Sequence, residues 1–180
     1  MSDKTRCHWV KKSSDILKKY HDEEFSVPQF DDDYLFEILV LVNFQTGLSW
    51  EIMLKKRDAF REAFDGFDVV KVANYDEEKI GELLSNGDII RNRNKIQSVI
   101  NNAQVFMKIQ EEHGSFYNYI KTFTKGEIFH ERGLTESELS RNMVRDLRKR
   151  GMKYLGPITM YSYLQTVGVI NSHEETCFLY

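Results

Sequence analysis

From Tyr34 to Phe44 nearly every residue is apolar, and Asp31, Asp32 and Asp33 stand directly in front of the run. Acidic side chains in the first turn of a helix complement the positive end of its dipole. A helix that is apolar on every side has no face to give to water, so other elements must enclose it. This predicts a central helix over about residues 34–44, and the rest of the chain must wrap it.

The remaining sequence supplies the wrapping. Thr46-Gly47-Leu48-Ser49 interrupts the apolar run, and Ser49 is a good N-cap for a helix from Trp50 to about Phe64. Asp76-Glu77-Glu78 opens a short helix to about Leu84, ended near Asn86-Gly87. A long helix is predicted from Ile89 to Glu112, apolar at 96, 99, 100, 103, 106 and 107, with Gly114 as its stop. An aromatic helix, Phe116 to Phe123, follows it. Residues 125–135 read as a loop punctuated by Gly126 and Gly133. Thr135 or Ser137 caps a basic helix that runs to Arg150, and Gly151 suits its C-terminal exit. Gly156-Pro157 then turns the chain into a last helix, about Ile158 to Val167, because proline is favoured in a first turn. No alternating strand pattern and no internal repeat is present. The expected fold is all-α: one domain over residues 1–180, with a helical core at about 31–164 and terminal segments at about 1–30 and 165–180.

Charge narrows the partners. The net charge of −3 excludes a uniformly basic nucleic-acid binder, but the cations are unevenly placed. Arg91, Arg93 and Lys95 form one group. Arg141, Arg145, Arg148 or Lys149, and Lys153 recur at three- and four-residue spacing, which makes a cationic stripe. Such a stripe is ordinarily a solvated face; it can also neutralise phosphates. No apolar run approaches the roughly eighteen residues of a membrane span. The expected location is cytoplasmic, since no secretory segment is recognised and a reducing compartment is the better expectation.

Both cysteines of the chain lie near its ends, each with a histidine: Cys7 with His21, and His173 with Cys177. Two thiols and two imidazoles are the ligand mix of a tetrahedral zinc site. The four-residue spacing of His173 and Cys177 would aim both at one ion from one helical turn. Such a site would join the two termini. A buried thiol with surface imidazoles, or a Cys7–Cys177 disulfide, remain the other readings of these residues.

The helix–Gly-Pro turn–helix near the C-terminus has the form of a helix-hairpin-helix, in which free N–H groups at a helix start can meet a phosphate. Together with Cys7-His-Trp9, Tyr20-His21-Asp22, Leu35-Phe36-Glu37, Gln45-Thr46-Gly47-Leu48-Ser49-Trp50, Leu54-Lys55-Lys56-Arg57, Ile89-Ile90-Arg91, Lys149-Arg150-Gly151 and His173-x-x-x-Cys177, it resembles the DNA-3-methyladenine glycosylase I family over nearly the whole chain. The resemblance implies a helical bundle with a helix-hairpin-helix, one structural Zn²⁺ held by Cys7, His21, His173 and Cys177, and monomeric hydrolysis of the N-glycosidic bond of 3-methyladenine in duplex DNA. It implies a base pocket containing Tyr20, Glu24, Phe25, Val42, Asn43 and Trp50. It implies a DNA-contacting set of Gly47, Leu48 and Ser49 in the loop that fills the gap left by an everted nucleotide, with Lys153, Gly156 and Pro157 in the phosphate-gripping turn. It names no catalytic residue, because the place where related hairpin glycosylases carry an aspartate is here Asn171.

Three positions depart from the family pattern. Val42 stands where a glutamate recognises the methylated base, Phe25 replaces a tryptophan, and Leu17 replaces a tyrosine. A valine neither accepts hydrogen bonds nor stabilises a cation. The resemblance therefore supports an active glycosylase, the alternative being a DNA-binding or damage-sensing homologue without the base reader. A zinc-stapled helical protein with a protein partner is the remaining reading.

Overall fold

The computed structural model describes residues 4–180. Its elements are α1 (Asp15–Glu23), α2 (Asp32–Gln45), α3 (Trp50–Ala63), α4 (Val69–Ala73), α5 (Glu77–Ser85), α6 (Arg93–His113), α7 (Phe116–Thr124), β1 (Phe129–His130), α8 (Glu138–Lys149), α9 (Pro157–Thr166) and β2 (Ile170–Asn171). Single 3₁₀ turns lie at His8–Val10 and Asp65–Phe67.

The apolar run is the centre. Every residue of α2 from Leu35 to Phe44 is buried, and the helix packs against α3, α6, α7 and α9. Asp31 starts it by accepting from the N–H groups of Asp33 and Tyr34. Asp32 reaches across to the start of α7 and accepts from the N–H groups of Phe116 and Tyr117, at 2.8 and 3.1 Å. One carboxylate thereby fixes two helix starts relative to each other. Glu37 is the charge enclosed with α2, and α3 answers it: Arg57 donates to it at 2.6 Å and Arg61 at 2.9 Å.

Two expectations needed correction. The long helix begins at Arg93, not Ile89, because the Asn92 side chain accepts from the Lys95 N–H and closes the helix start there. Ile89 is still buried, so its apolarity reported the core and not helical periodicity. The stretch 125–135 is not wholly loop: Phe129 and His130 pair in parallel with Ile170 and Asn171. Two residues are too few to carry any alternation in sequence. The basic helix ends about as expected, at Lys149, so Lys153 of the cationic stripe lies in the turn that follows α8. α1 and α4 were not apparent in the sequence.

The terminal segments are locked to the bundle by backbone. The Ser26 and Gln29 N–H groups donate to Gln165 and Val167 carbonyls at 2.8 and 3.1 Å. Gly168 permits that approach. It has φ +76°, and a Cβ placed there would lie 2.3 Å from the Pro28 nitrogen. No helix among the described residues is long and apolar enough to cross a membrane.

Candidate functional site

Two features meet where the N-terminal segment crosses the end of α9. The first is a slot of about 210 Å³, lined by Trp9, Leu17, Tyr20, Phe25, Gln45 and Trp50, with Ser162, Gln165 and Thr166 of α9 forming the far wall. The Tyr20 and Trp50 rings are 5.7 Å apart, and Tyr20 and Phe25 are 6.0 Å apart. α1 and α3 pack against each other and so hold Tyr20 beside Trp50. Burial pushes the Tyr20 phenol far above its usual range, with Glu24 adding to the effect. It therefore stays protonated at neutral pH and bonds to Thr166 Oγ1 at 2.9 Å.

No ionised side chain among the described residues lines this slot. Glu24, placed in the base pocket by sequence, faces the other way. It accepts from Arg57 at 2.7 and 2.8 Å and from the Tyr34 hydroxyl at 2.9 Å, and lines an adjoining cavity of about 470 Å³. Val42 is 2 % exposed, lies three residues before Gln45 on α2, and is not among the residues that line the slot. Asn43 is 1 % exposed, and both polar atoms of its side chain lack hydrogen-bond partners among the described residues. Of the six pocket residues named from the sequence, Tyr20, Phe25 and Trp50 come together around the slot, and Glu24, Val42 and Asn43 do not line it. Sequence reasoning missed the α9 wall. Its Ser162, Gln165 and Thr166 resemble any polar residues on a helix until the fold places them opposite Trp50.

The loop after α2 lies beside the slot. Gly47 has φ +85°, a conformation that glycine adopts without strain, and Leu48 is 38 % exposed. Ser49 is occupied as the N-cap of α3, accepting from the Ile52 N–H. At the other turn, Asn102 of α6 clasps the main chain of Lys153 twice, donating to its carbonyl at 2.9 Å and accepting from its N–H at 2.8 Å. Arg148 donates to the Leu155 carbonyl at 2.9 Å, which makes it a brace of that turn. The Lys153 side chain remains exposed. Gly156 precedes α9 without a side-chain cap, and Pro157 occupies the first turn.

The second feature is a cluster of Cys7, His21, His173 and Cys177. All four are buried, and their ligand atoms lie within 4.8 Å of one another. Cys7 Sγ is 3.5 Å and Cys177 Sγ 3.7 Å from His173 Nδ1, and Cys177 Sγ is 3.6 Å from His21 Nε2. His21 Nδ1 bonds to Asp22 at 2.9 Å, and Arg6 grips that carboxylate through two nitrogens. This second layer turns the opposite nitrogen of His21 toward the sulfurs. Burial pushes the Cys7 thiol up to about 11 and the His173 imidazole down. A buried neutral His173 is a ready ligand, whereas a buried thiolate needs a cation beside it. The cluster could hold a metal ion, and both cysteines are free thiols.

Residues 9–180 match the family model described as methyladenine glycosylase. The chain is 36% identical over 181 residues to DNA-3-methyladenine glycosylase 1 of Escherichia coli, covering 97% of this chain and 96% of that protein. It is 34% identical over 179 residues to the DNA-3-methyladenine glycosylase of Haemophilus influenzae, covering 96% of each. A crystal structure of 3-methyladenine DNA glycosylase I superposes with a TM-score of 0.91 at 36% identity, covering 97% of this chain and 98% of that one. A tyrosine-to-phenylalanine variant of a 3-methyladenine DNA glycosylase I, solved in complex with 3-methyladenine, also gives 0.91, at 30% identity and 96% of both chains. The chain belongs to the methyladenine glycosylase family.

Proposed function

We propose that this protein is a DNA-repair glycosylase that everts an alkylated, 3-methyladenine-like base from duplex DNA and hydrolyses its N-glycosidic bond. The observation that carries the reading is the slot between Tyr20 and Trp50, whose lining is dominated by aromatic side chains. Methylation at N3 makes the attached base cationic and a good leaving group, so the protein must chiefly extract and hold it. Aromatic faces attract such a cation by the ring quadrupole in addition to dispersion. Water then attacks the sugar carbon as the bond to the base breaks; the bonding electron pair leaves with the base, which departs neutral, and the water's surplus proton passes to solvent.

Docking follows from the two turns. The uncapped start of α9 at Gly156-Pro157, with Lys153 beside it, suits a backbone phosphate as the hairpin of a helix-hairpin-helix. Gly47 and Leu48 suit the gap that an everted nucleotide leaves, where an apolar side chain offsets lost stacking. All these parts come from one chain, in keeping with a monomer organised as one domain.

The terminal cluster suits one structural Zn²⁺. Bonds of about 2.3 Å to sulfur and about 2.0–2.1 Å to nitrogen, at tetrahedral angles, set sulfur and nitrogen about 3.5–3.6 Å apart. The separations here are 3.5, 3.6 and 3.7 Å. Such an ion would favour the thiolates that burial opposes and tie Cys7 and His21 to His173 and Cys177.

A second reading, a damage-sensing homologue without turnover, draws on Val42 and on the missing carboxylate in the slot. One assay separates the two. Incubated with methylated duplex DNA, a glycosylase releases free 3-methyladenine and leaves abasic sites. Release no faster than the spontaneous rate, with DNA binding retained, would overturn the enzymatic reading in favour of the sensor.

A further inference from the structure

Gln45, Ser162 and Gln165 are polar residues in the lining of the slot. Only Gln165 is held in one orientation, and hydrogen-bond direction decides which end of its amide is committed. Ser172 Oγ lies 2.7 Å from the main-chain oxygen of Glu131. A carbonyl oxygen only accepts, so the Ser172 hydroxyl proton goes there. Ser172 then has lone pairs alone to offer Gln165, which lies 2.7 Å away and must face it with the Nε2 hydrogens. Turning the amide over would set two acceptors against each other at that distance. Gln165 Oε1 is therefore the free end, and it has no partner among the described residues.

The neighbouring wall is biased in the same sense. Thr166 Oγ1 donates to the Ser162 carbonyl at 3.0 Å. The Tyr20 hydroxyl, 2.9 Å from Thr166 Oγ1, therefore spends its own proton on that oxygen and has none left for a ligand. Gln45 and Ser162 have no side-chain partner among the described residues, so they turn to suit either a donor or an acceptor.

We propose that Gln165 Oε1, aimed by Ser172, accepts from the exocyclic amino group of the base in the slot and so sets base selectivity without a carboxylate at position 42. The assignment rests on the glycosylase reading and deepens it. An adenine-type edge brings a donor to this oxygen. A guanine-type edge brings a carbonyl, which opposes acceptor to acceptor. Selection is thus by hydrogen-bond direction, in a slot that no ionised side chain among the described residues lines. Gln165 acts on the base; Ser172 is a positioning residue that acts through it.

The test is the release of 3-methyladenine and 3-methylguanine, measured together from one methylated duplex. The unaltered protein should prefer 3-methyladenine. Gln165→Leu should lower release of that base by about tenfold, the order expected for one lost hydrogen bond in a desolvated site, and collapse the preference. Gln165→Glu keeps an acceptor toward the base once Ser172 turns its hydroxyl proton from the Glu131 carbonyl to the new carboxylate, and it should preserve the preference, which separates the reading role from folding. Ser172→Ala frees the amide to turn and should erode the preference alone, yet add nothing in the Gln165→Leu background. An unchanged ratio in Gln165→Leu, with release retained, overturns the assignment and leaves the glycosylase reading standing. No release of either base by the unaltered protein overturns both.

Discussion

Val42 is the residue on which sequence and structure bear most differently. By sequence it marks a missing base reader; in the fold it is 2 % exposed and not among the residues that line the slot. A carboxylate there would be buried and unpaired until a cationic base arrived, and burial raises a carboxyl pKa. Val42→Glu should therefore lower the melting temperature, by roughly 2–4 °C for each kcal/mol lost, while tightening binding of free 3-methyladenine. Calorimetry with and without the base checks both halves. A melting loss without any affinity gain would mean that position 42 does not reach the base. Glu24 teaches the complementary lesson. It is present, as the family pattern requires, but Arg57 and Tyr34 engage it outside the slot. Residue identity was legible; which way the side chain is drawn depended on an arginine 33 positions away.

At the scale of elements, local chemistry was read well wherever the signal was local. Asp31, Ser49, Asp76 and Ser137 all cap the helices their positions suggested. Gly114 ends α6 in the left-handed conformation, and Gly151 has φ +102° just past α8. The misplaced start of α6 and the unseen strand pair were failures of scale, since periodicity cannot see a two-residue strand or distinguish a buried turn from a buried helix. The seam between α7 and α8 offers a test by pH. Burial works against ionisation of Asp146, but hydrogen bonds from Arg150 and Tyr119 more than offset it and hold its pKa below the usual carboxylate value. A depressed folded-state pKa adds stability that is complete above the unfolded value, about 3.9, and is lost as pH falls through the folded one. Asp146→Asn should thus lie below the unaltered protein by a constant margin from about pH 5 upward, with the two curves converging in stronger acid. Urea melts across that range check it; a gap that widens on acidification would reverse the sign.

At the scale of the whole molecule, the metal cluster and the DNA surface make separate predictions. Chelation should lower the melting temperature sharply, because the binding energy of a structural zinc, on the order of ~10 kcal/mol, is coupled to folding. Elemental analysis should find about one ion per chain before treatment and none after, and an unchanged melt on ion removal would make the cluster a set of buried thiols and imidazoles. For docking, Lys149 and Lys153 are better probes than Arg148, whose guanidinium braces the Leu155 carbonyl. Replacing both lysines with alanine should weaken DNA binding and flatten its salt dependence by about 0.9 log units per log salt for each phosphate no longer neutralised. Titrations at several salt concentrations measure that slope. An unaltered slope would place the DNA on another face.

The sequence by itself determined the central helix, its caps, the two glycine-bearing turns, the four ligand-type side chains and the family, because each is written in composition or in short-range spacing. Tertiary structure alone decided that no ionised side chain among the described residues lines the slot, that Glu24 turns away from it, and that α9 supplies an amide pointing one way. Those outcomes are set by contacts between residues far apart in the chain, such as Tyr20 with Thr166, 146 positions away. Hydrogen-bond direction belongs to a network and not to any single residue, so no reading of residue types along the chain could have supplied it.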